Sequence, residues 1–280
     1  MNDNKSQGGS LRRRNMHLGS HAVLIGYCIV VIFPLYVMLV NSFKGKWYIY
    51  ENPFGLPDKW HFSNYTDVLS SSDFGRYFLN SFVVVVISLT LVLVLGTMVS
   101  YALSQWKGRW SSLMFLFFMI GMMLPIKIAS IKLLNMMRAM GLLNTIWALV
   151  PIYVAMGLPI AVFILTEFIR QIPRELTEAA LIDGSGRFSI LVRIIVPMLR
   201  PALATVGIYN LVPFWNDLWF PLIFISDEKS KTLLLGVTRL FGQYQTDWPK
   251  VLAVLTLSSL PVMALYLLMS RQFIKGMTAG

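Results

Sequence analysis

From Leu79 to Gln105 the chain runs through Val83-Val84-Val85-Val86 and Leu91-Val92-Leu93-Val94-Leu95 without one Asp, Glu, Lys or Arg. A hydrocarbon core about 30 Å thick needs roughly 20 apolar residues in a helix, so this run is long enough to cross a bilayer. No water is available there to satisfy backbone N–H and C=O groups, so a spanning segment must bond them internally as a helix. Composition agrees: 56% of the chain is hydrophobic and 13% charged, whereas a soluble domain is about 25% charged. The expected class is an all-α integral membrane protein.

Five further apolar runs lie at Ala22–Val40, Ser111–Ile126, Gly141–Thr166, Ala202–Trp215 and Val251–Ser270, which predicts six transmembrane helices. Pro34, Pro151, Pro159 and Pro261 interrupt them, as spanning helices tolerate where neighbouring groups re-satisfy the backbone. Gly96 and Ser100 are spaced for close packing of the second helix against another. Residues 1–20, with Arg12-Arg13-Arg14, read as a polar N-terminal arm, and 21–280 as one transmembrane domain. The first run is too long for a cleaved leader and no small-residue cleavage site follows it. Between the first two runs, Trp47, Tyr48, Tyr50 and Trp60 suit an interfacial loop. The net charge of +11 is spread over loops rather than gathered on one soluble face, which argues against nucleic acid as a partner. Cys28 is the only cysteine, so no disulfide framework exists within the chain.

The longest polar interruption of the second half is also the most patterned. In Pro173-Arg-Glu-Leu-Thr-Glu-Ala-Ala-Leu-Ile-Asp-Gly184, proline suits the first helical position and glycine the stop. The spacing predicts a helix over 174–183 with Leu176, Ala179, Ala180 and Asp183 on one face and Glu175, Glu178 and Ile182 on another. An alanine pair keeps that face low, so a partner's backbone can approach it.

Glu178-Ala179-Ala180, Gly184 four residues on, then Ile194 and Val196-Pro197 resemble the cytoplasmic EAA loop of ABC importer permeases. Further stretches resemble the carbohydrate-uptake branch, and most of all its second, maltose-type permease. These are Gly141-Leu-Leu-Asn-Thr145, Phe168-Ile-Arg-Gln-Ile-Pro-Arg-Glu-Leu176, Phe214-Trp-Asn-Asp217 with Pro221-Leu222, and the tail Arg271–Gly280. The resemblance implies an EAA coupling loop between helices 4 and 5, with Glu175, Glu178, Ala179, Ala180, Asp183 and Gly184 docking on an ATPase. It implies no cofactor in this chain, ATP and Mg being held by that ATPase. The implied partners are a second permease subunit, two ATP-binding subunits and an external sugar-binding protein, in the plasma membrane of a prokaryote. Both termini are expected inside. Basic density at the arm, the Lys107/Arg109 turn and the central loop favours that orientation, while Lys127, Lys132 and Arg138 run against it.

Other chemistries find little in the chain. Gly45-Lys46 lacks the rest of a P-loop, and His17, His21 and His61 have no metal-ligand spacing. No Gly-x-Ser-x-Gly nucleophile motif occurs, so no catalytic residue is expected. A secondary transporter would need an ionisable group at mid-membrane, which the charge-free cores of spans two, four and six do not offer. A permease for phosphate, peptide or polyamine is the alternative within the family. For the solute route, Asn210, Trp215, Asn216 and Asp217 form the most suggestive polar cluster, offering groups for sugar hydroxyls and a ring face for the sugar. Trp and Asn at a span's end also serve as interfacial anchors.

Overall fold

The computed structural model describes residues 5–106, 108–241 and 246–278, side chains at the ends of this span excepted. Among these residues the only pairing of extended backbone is an isolated bridge between Phe241 and Thr246. The chain divides into two compact units, residues 1–68 with 240–257, and residues 69–239 with 258–280.

In the first unit, α1 (Lys5–Asn41) carries the apolar stretch Gly19–Asn41. It begins inside the segment expected as a polar arm. Beyond it come α2 (Tyr48–Glu51) and α3 (Ser63–Ser70). The loop between α1 and α3 is held by specific polar bonds. Asn41 Nδ2 donates to the Val37 and Pro53 carbonyls, and Asn64 Nδ2 to those of Ser42 and Lys44. Phe43 packs against Trp60, Phe62 and Tyr65. Lys44 is completely buried, donates to the Asn52 carbonyl and lies over the Tyr48 ring. Burial holds its pKa below the ordinary lysine value, because desolvation disfavours the charged form.

The second unit is built on α4 (Ser72–Gln105) and, further along, α7 (Leu149–Arg170), the pair in most extensive contact. Gly96 makes that contact possible: a Cβ there would lie 2.9 Å from Ala161 Cβ. One turn later, Ser100 Oγ donates to the Val162 carbonyl. The small-residue spacing read from the sequence therefore does pack two spans.

Between them, α5 (Arg109–Met123) packs on α7. Rather than running on to Ile126, α5 stops at Met123, where Leu124 and Pro125 turn extended. The chain continues through a 3-10 turn into α6 (Ser130–Ala139), with the two arms bent by 80°. Proline cannot sustain the i→i−4 ladder, and the residue before it is driven out of helical geometry. Residues expected as an outer loop are thus helical. Gly141 and Asn144, both at positive φ, turn the chain into α7. Asn144 also bonds the segment after Phe224 through its N–H and Oδ1, which accounts structurally for the Gly141–Thr145 motif.

After α7 come α8 (Arg174–Ile182), α9 (Arg187–Ile190), a π-turn (Leu191–Ile195), α10 (Val196–Met198) and α11 (Arg200–Trp215). The rod 187–198 meets α11 at 76°. Then α12 (Trp219–Phe224) and α13 (Leu233–Val237) lead on, with α13 packed on α4. Arg239 there bridges Asp73 at 3.0 Å and Glu228 at 3.1 Å. The last helix, α14 (Trp248–Thr278), carries apolar residues 248–267. Among the described residues, four helices are long and apolar enough to cross a membrane, or six if each bent pair counts as one span.

Candidate functional site

The helix expected at 174–183 forms at 174–182, with Pro173 as its N-cap rather than its first helical residue. Its end is a Schellman motif. Ser185 N–H donates to the Ala180 carbonyl and Gly184 N–H to that of Leu181. Gly184 sits at φ +81, where a side chain is strained although nothing lies within 4 Å of a Cβ placed there. Glycine is therefore required by backbone conformation and not by crowding.

The faces of α8 divide differently from the periodicity reading. Thr177 and Ala180 are buried in the chain itself, whereas Glu175, Leu176, Glu178, Ala179 and Asp183 are exposed. Ala179 and Ala180 therefore do not look outward together. The outward stripe is Glu175, Glu178, Ala179 and Ile182, and Ile182 is 86% exposed. A short helix anchored on one side, with an apolar residue and two carboxylates bare on the other, has the form of a plug for a groove.

The second candidate cluster is placed mainly indoors. Asn210 is buried and donates to the Val206 carbonyl of its own helix. Trp215 is buried too. Its indole N–H donates to the Ser258 carbonyl at 2.9 Å, and its ring meets the Phe78 ring edge-on with centroids 5.6 Å apart. Asn216 is exposed. Asp217 accepts from the Tyr153 hydroxyl at 2.9 Å and from the backbone N–H groups of Trp219 and Phe220. Burial is the main influence on its carboxyl and raises its pKa, against the opposing pull of these bonds and of Lys127. The Tyr153 ring in turn stacks on Phe214 at 4.8 Å and 11°.

Sequence reasoning missed the pairing of Tyr153 with Asp217, 64 residues apart, and the part played by Thr232. Thr232 lines a narrow cleft with Ser81, Tyr153, Trp215 and Asp217, too tight to admit a water molecule. Its hydroxyl is buried without a hydrogen-bond partner. No local pattern announces such a cleft, because its walls come from four separate parts of the chain. Among the described residues no group of three His, Cys, Asp or Glu side chains is placed to hold a metal ion.

A family described as the binding-protein-dependent transport system inner membrane component matches residues 92–278. The diacetylchitobiose uptake system permease protein NgcG of Streptomyces coelicolor is 34% identical, over 93% of this chain and 87% of its own. The melibiose/raffinose/stachyose import permease protein MelC of Bacillus subtilis is 30% identical over 96% and 97%. The fold is shared with a bacterial ABC transporter involved in import of the acidic polysaccharide alginate. That crystal structure superposes with a TM-score of 0.80 over 94% of this chain and 98% of its own, at 20% identity. The matched segment begins inside α4, takes in α8 and its Gly184 stop, and extends into α14, so the chain belongs to the inner membrane components of binding-protein-dependent transport systems.

Proposed function

We propose that the chain is one permease subunit of an ATP-driven importer for a sugar or short oligosaccharide. It pairs with a second permease, two ATP-binding subunits and an external sugar-binding protein. Residues 21–280 act as one transport domain of six spans, each bent pair serving as one, with 1–20 as an arm and both termini in the cytoplasm. Permease relatives named for diacetylchitobiose and for melibiose, raffinose and stachyose support the sugar assignment. The chain does no chemistry of its own. ATP and Mg are held by the partner ATPase, and this subunit converts closure of the ATPase pair into movement of its helices.

The observation that carries the reading is α8: fixed at Thr177 and Ala180, stopped by the Schellman turn at Gly184, and bare along Glu175, Glu178, Ala179 and Ile182. Docked in a groove of the ATPase, that stripe makes the contact, and Asp183 and Gly184 set its exit. Asn210 and Trp215 form a buried wall beside the solute route, and Asn216 and Asp217 lie at its mouth.

The test is reconstitution of the complete transporter in vesicles with its external binding protein. Sugar uptake and substrate-stimulated ATP hydrolysis are measured together for wild type and for Ile182→Glu. The reading expects Ile182→Glu to assemble and to lose both. Normal stimulation and uptake in that variant would remove α8 as the coupling element. Uptake of peptide or phosphate in place of sugar would overturn the solute class.

A further inference from the structure

A second cleft lies at the end of the second unit where α4 finishes and α5 and α8 begin. It has a volume of about 300 Å³ and is lined by Gln105, Trp106, Ser112, Arg170, Arg174 and Thr177, among others. Apart from Thr177, which helps to anchor α8, its lining has no part in the proposed transport cycle.

Its lining is suited to an anion. Arg170 is paired at 2.7 Å with Glu167 and lies over the Phe115 ring, so its charge is already partly used. Arg174 is exposed and has no ion-pair partner among the described residues, and Ser112 adds an exposed hydroxyl. Two helices of fifteen and nine residues start at the rim, α5 after Gly108 and α8 after Pro173, and neither has a side-chain cap. Uncapped first-turn amides carry partial positive charge and donate to anions.

The surroundings say which kind of anion. Trp106 and Trp110 flank the cleft's turn at 63% and 75% exposure, and such aromatics sit at headgroup depth in a bilayer. From the rim, α5 presents Leu113, Leu116, Phe117 and Ile120, all exposed and spaced along one helical face. A polar basic pocket at the interface therefore continues into an apolar track one helix long.

We propose that this cleft holds the phosphate of an anionic phospholipid, with Arg174, Ser112 and the α5 amides on the headgroup and the acyl chains along the exposed face of α5. The inference rests on the membrane reading and not on α8 being the coupling element. The same phosphate chemistry could be met by free inorganic phosphate, but the apolar track favours the lipid.

The test uses the assembled transporter in neutral detergent with equal amounts of phosphatidylglycerol and phosphatidylcholine, and native mass spectrometry to count retained lipid. Wild type is expected to retain phosphatidylglycerol selectively, and Arg174→Gln to lose about fivefold of that preference, the share of one interfacial arginine. Arg138→Gln, an exposed arginine in α6, controls for bulk charge. If Arg174→Gln does not assemble, Ser112→Glu is read instead. It sets a carboxylate in the cleft from α5 and is expected to expel the lipid. Equal retention of the two lipids by wild type overturns the proposal. So does undiminished preference in Arg174→Gln or Ser112→Glu, or an equal loss in Arg138→Gln. Displacement of phosphatidylglycerol by millimolar inorganic phosphate would make the site one for the free anion and overturn the lipid assignment.

Discussion

The outer stripe of α8 and the far end of α11 were the two regions whose residues stood out in the sequence, and they are opposites in the folded chain. The α8 side chains Glu175, Glu178, Ala179 and Ile182 look outward from a helix buried only at Thr177 and Ala180. The α11 side chains Asn210 and Trp215 are turned inward, each already donating to a carbonyl of the same unit. Unusual residues at a helix face can thus mean an unfinished contact or a completed one. Only burial and hydrogen bonding tell them apart. Substitution should separate the regions by what it damages: the fold at α11, and coupling with the fold intact at α8.

The largest effect on stability is expected at Trp215. Trp215→Ala removes a buried ring that meets Phe78 and bonds Ser258, which should cost about 3–5 kcal/mol. Thermal unfolding of the purified complex would show it as a lower midpoint or failed assembly. Trp215→Phe should keep part of the ring contact while losing the hydrogen bond and the indole's second ring, about 1–3 kcal/mol. If Trp215→Ala assembles with a wild-type midpoint and only uptake falls, the indole belongs to the solute route and the contrast with α8 collapses.

Next is Gly184. With φ at +81 and open space around a Cβ, substitution strains the backbone alone, so Gly184→Val should cost about 1–2 kcal/mol. Gly184→Asn should recover much of that, since asparagine tolerates the left-handed region. Equal effects from Val and Asn, measured by thermal unfolding and coupled ATPase activity, would mean that crowding by a partner and not conformation selects glycine there.

A smaller effect belongs to Asp217. Its folded pKa is raised by burial, so the folded state binds this proton more tightly than the unfolded chain does. The group's contribution is most favourable below the ordinary aspartate range and declines as pH rises through the folded value. Asp217→Asn should remove that slope and cost about 1 kcal/mol near neutrality, because its one amide oxygen can keep the Tyr153 and Phe220 bonds while its NH2 cannot accept from the Trp219 N–H. A pH series of unfolding midpoints, wild type against Asn, checks it; parallel curves would contradict the assignment.

The smallest effect on the fold, and the sharpest on function, is expected at Glu178. It is exposed, so Glu178→Lys should alter stability by no more than about 0.5 kcal/mol. Stimulated ATP hydrolysis and uptake should nonetheless fall, because the charge at the proposed contact is reversed. An unfolding midpoint well below wild type would show that the side chain serves the chain's own fold and would erase the distinction between the regions.

Much of this was legible in the sequence, for identifiable reasons. Spans such as 73–105 and 146–170 declare themselves because each contains a long charge-free run, 79–105 and 146–166, which has one stable solution in lipid. The α8 stop was readable because a positive-φ turn leaves glycine as its mark. The division of Ala179 from Ala180 was not, since neighbouring residues on a helix lie 100° apart and only the packed structure says which points in. The burial of Trp215 was hidden for a different reason. Its partners Phe78 and Ser258 lie far away in the chain, and an end-of-span tryptophan reads the same whether it anchors at an interface or packs against another helix. The break after Met123 was half visible as Pro125, but the helix resuming beyond it looked like a loop because Lys127, Lys132 and Arg138 interrupt the apolar pattern.

The 76° elbow between the rod 187–198 and α11 sets how a displacement can travel through this subunit. A straight shaft would pass on a push along its axis; an elbow makes a crank. The rod is about 18 Å long at 1.5 Å per residue, so raising its α8 end by roughly 2 Å tips it by about 6°. If the elbow is stiff, the 16-residue α11 swings by the same angle and its far end travels about 2–3 Å. Trp215 sits at that far end, bolted to Ser258 of α14 and against Phe78 of α4. The swing then reaches α4 and α14 at the end of the crank arm furthest from α8.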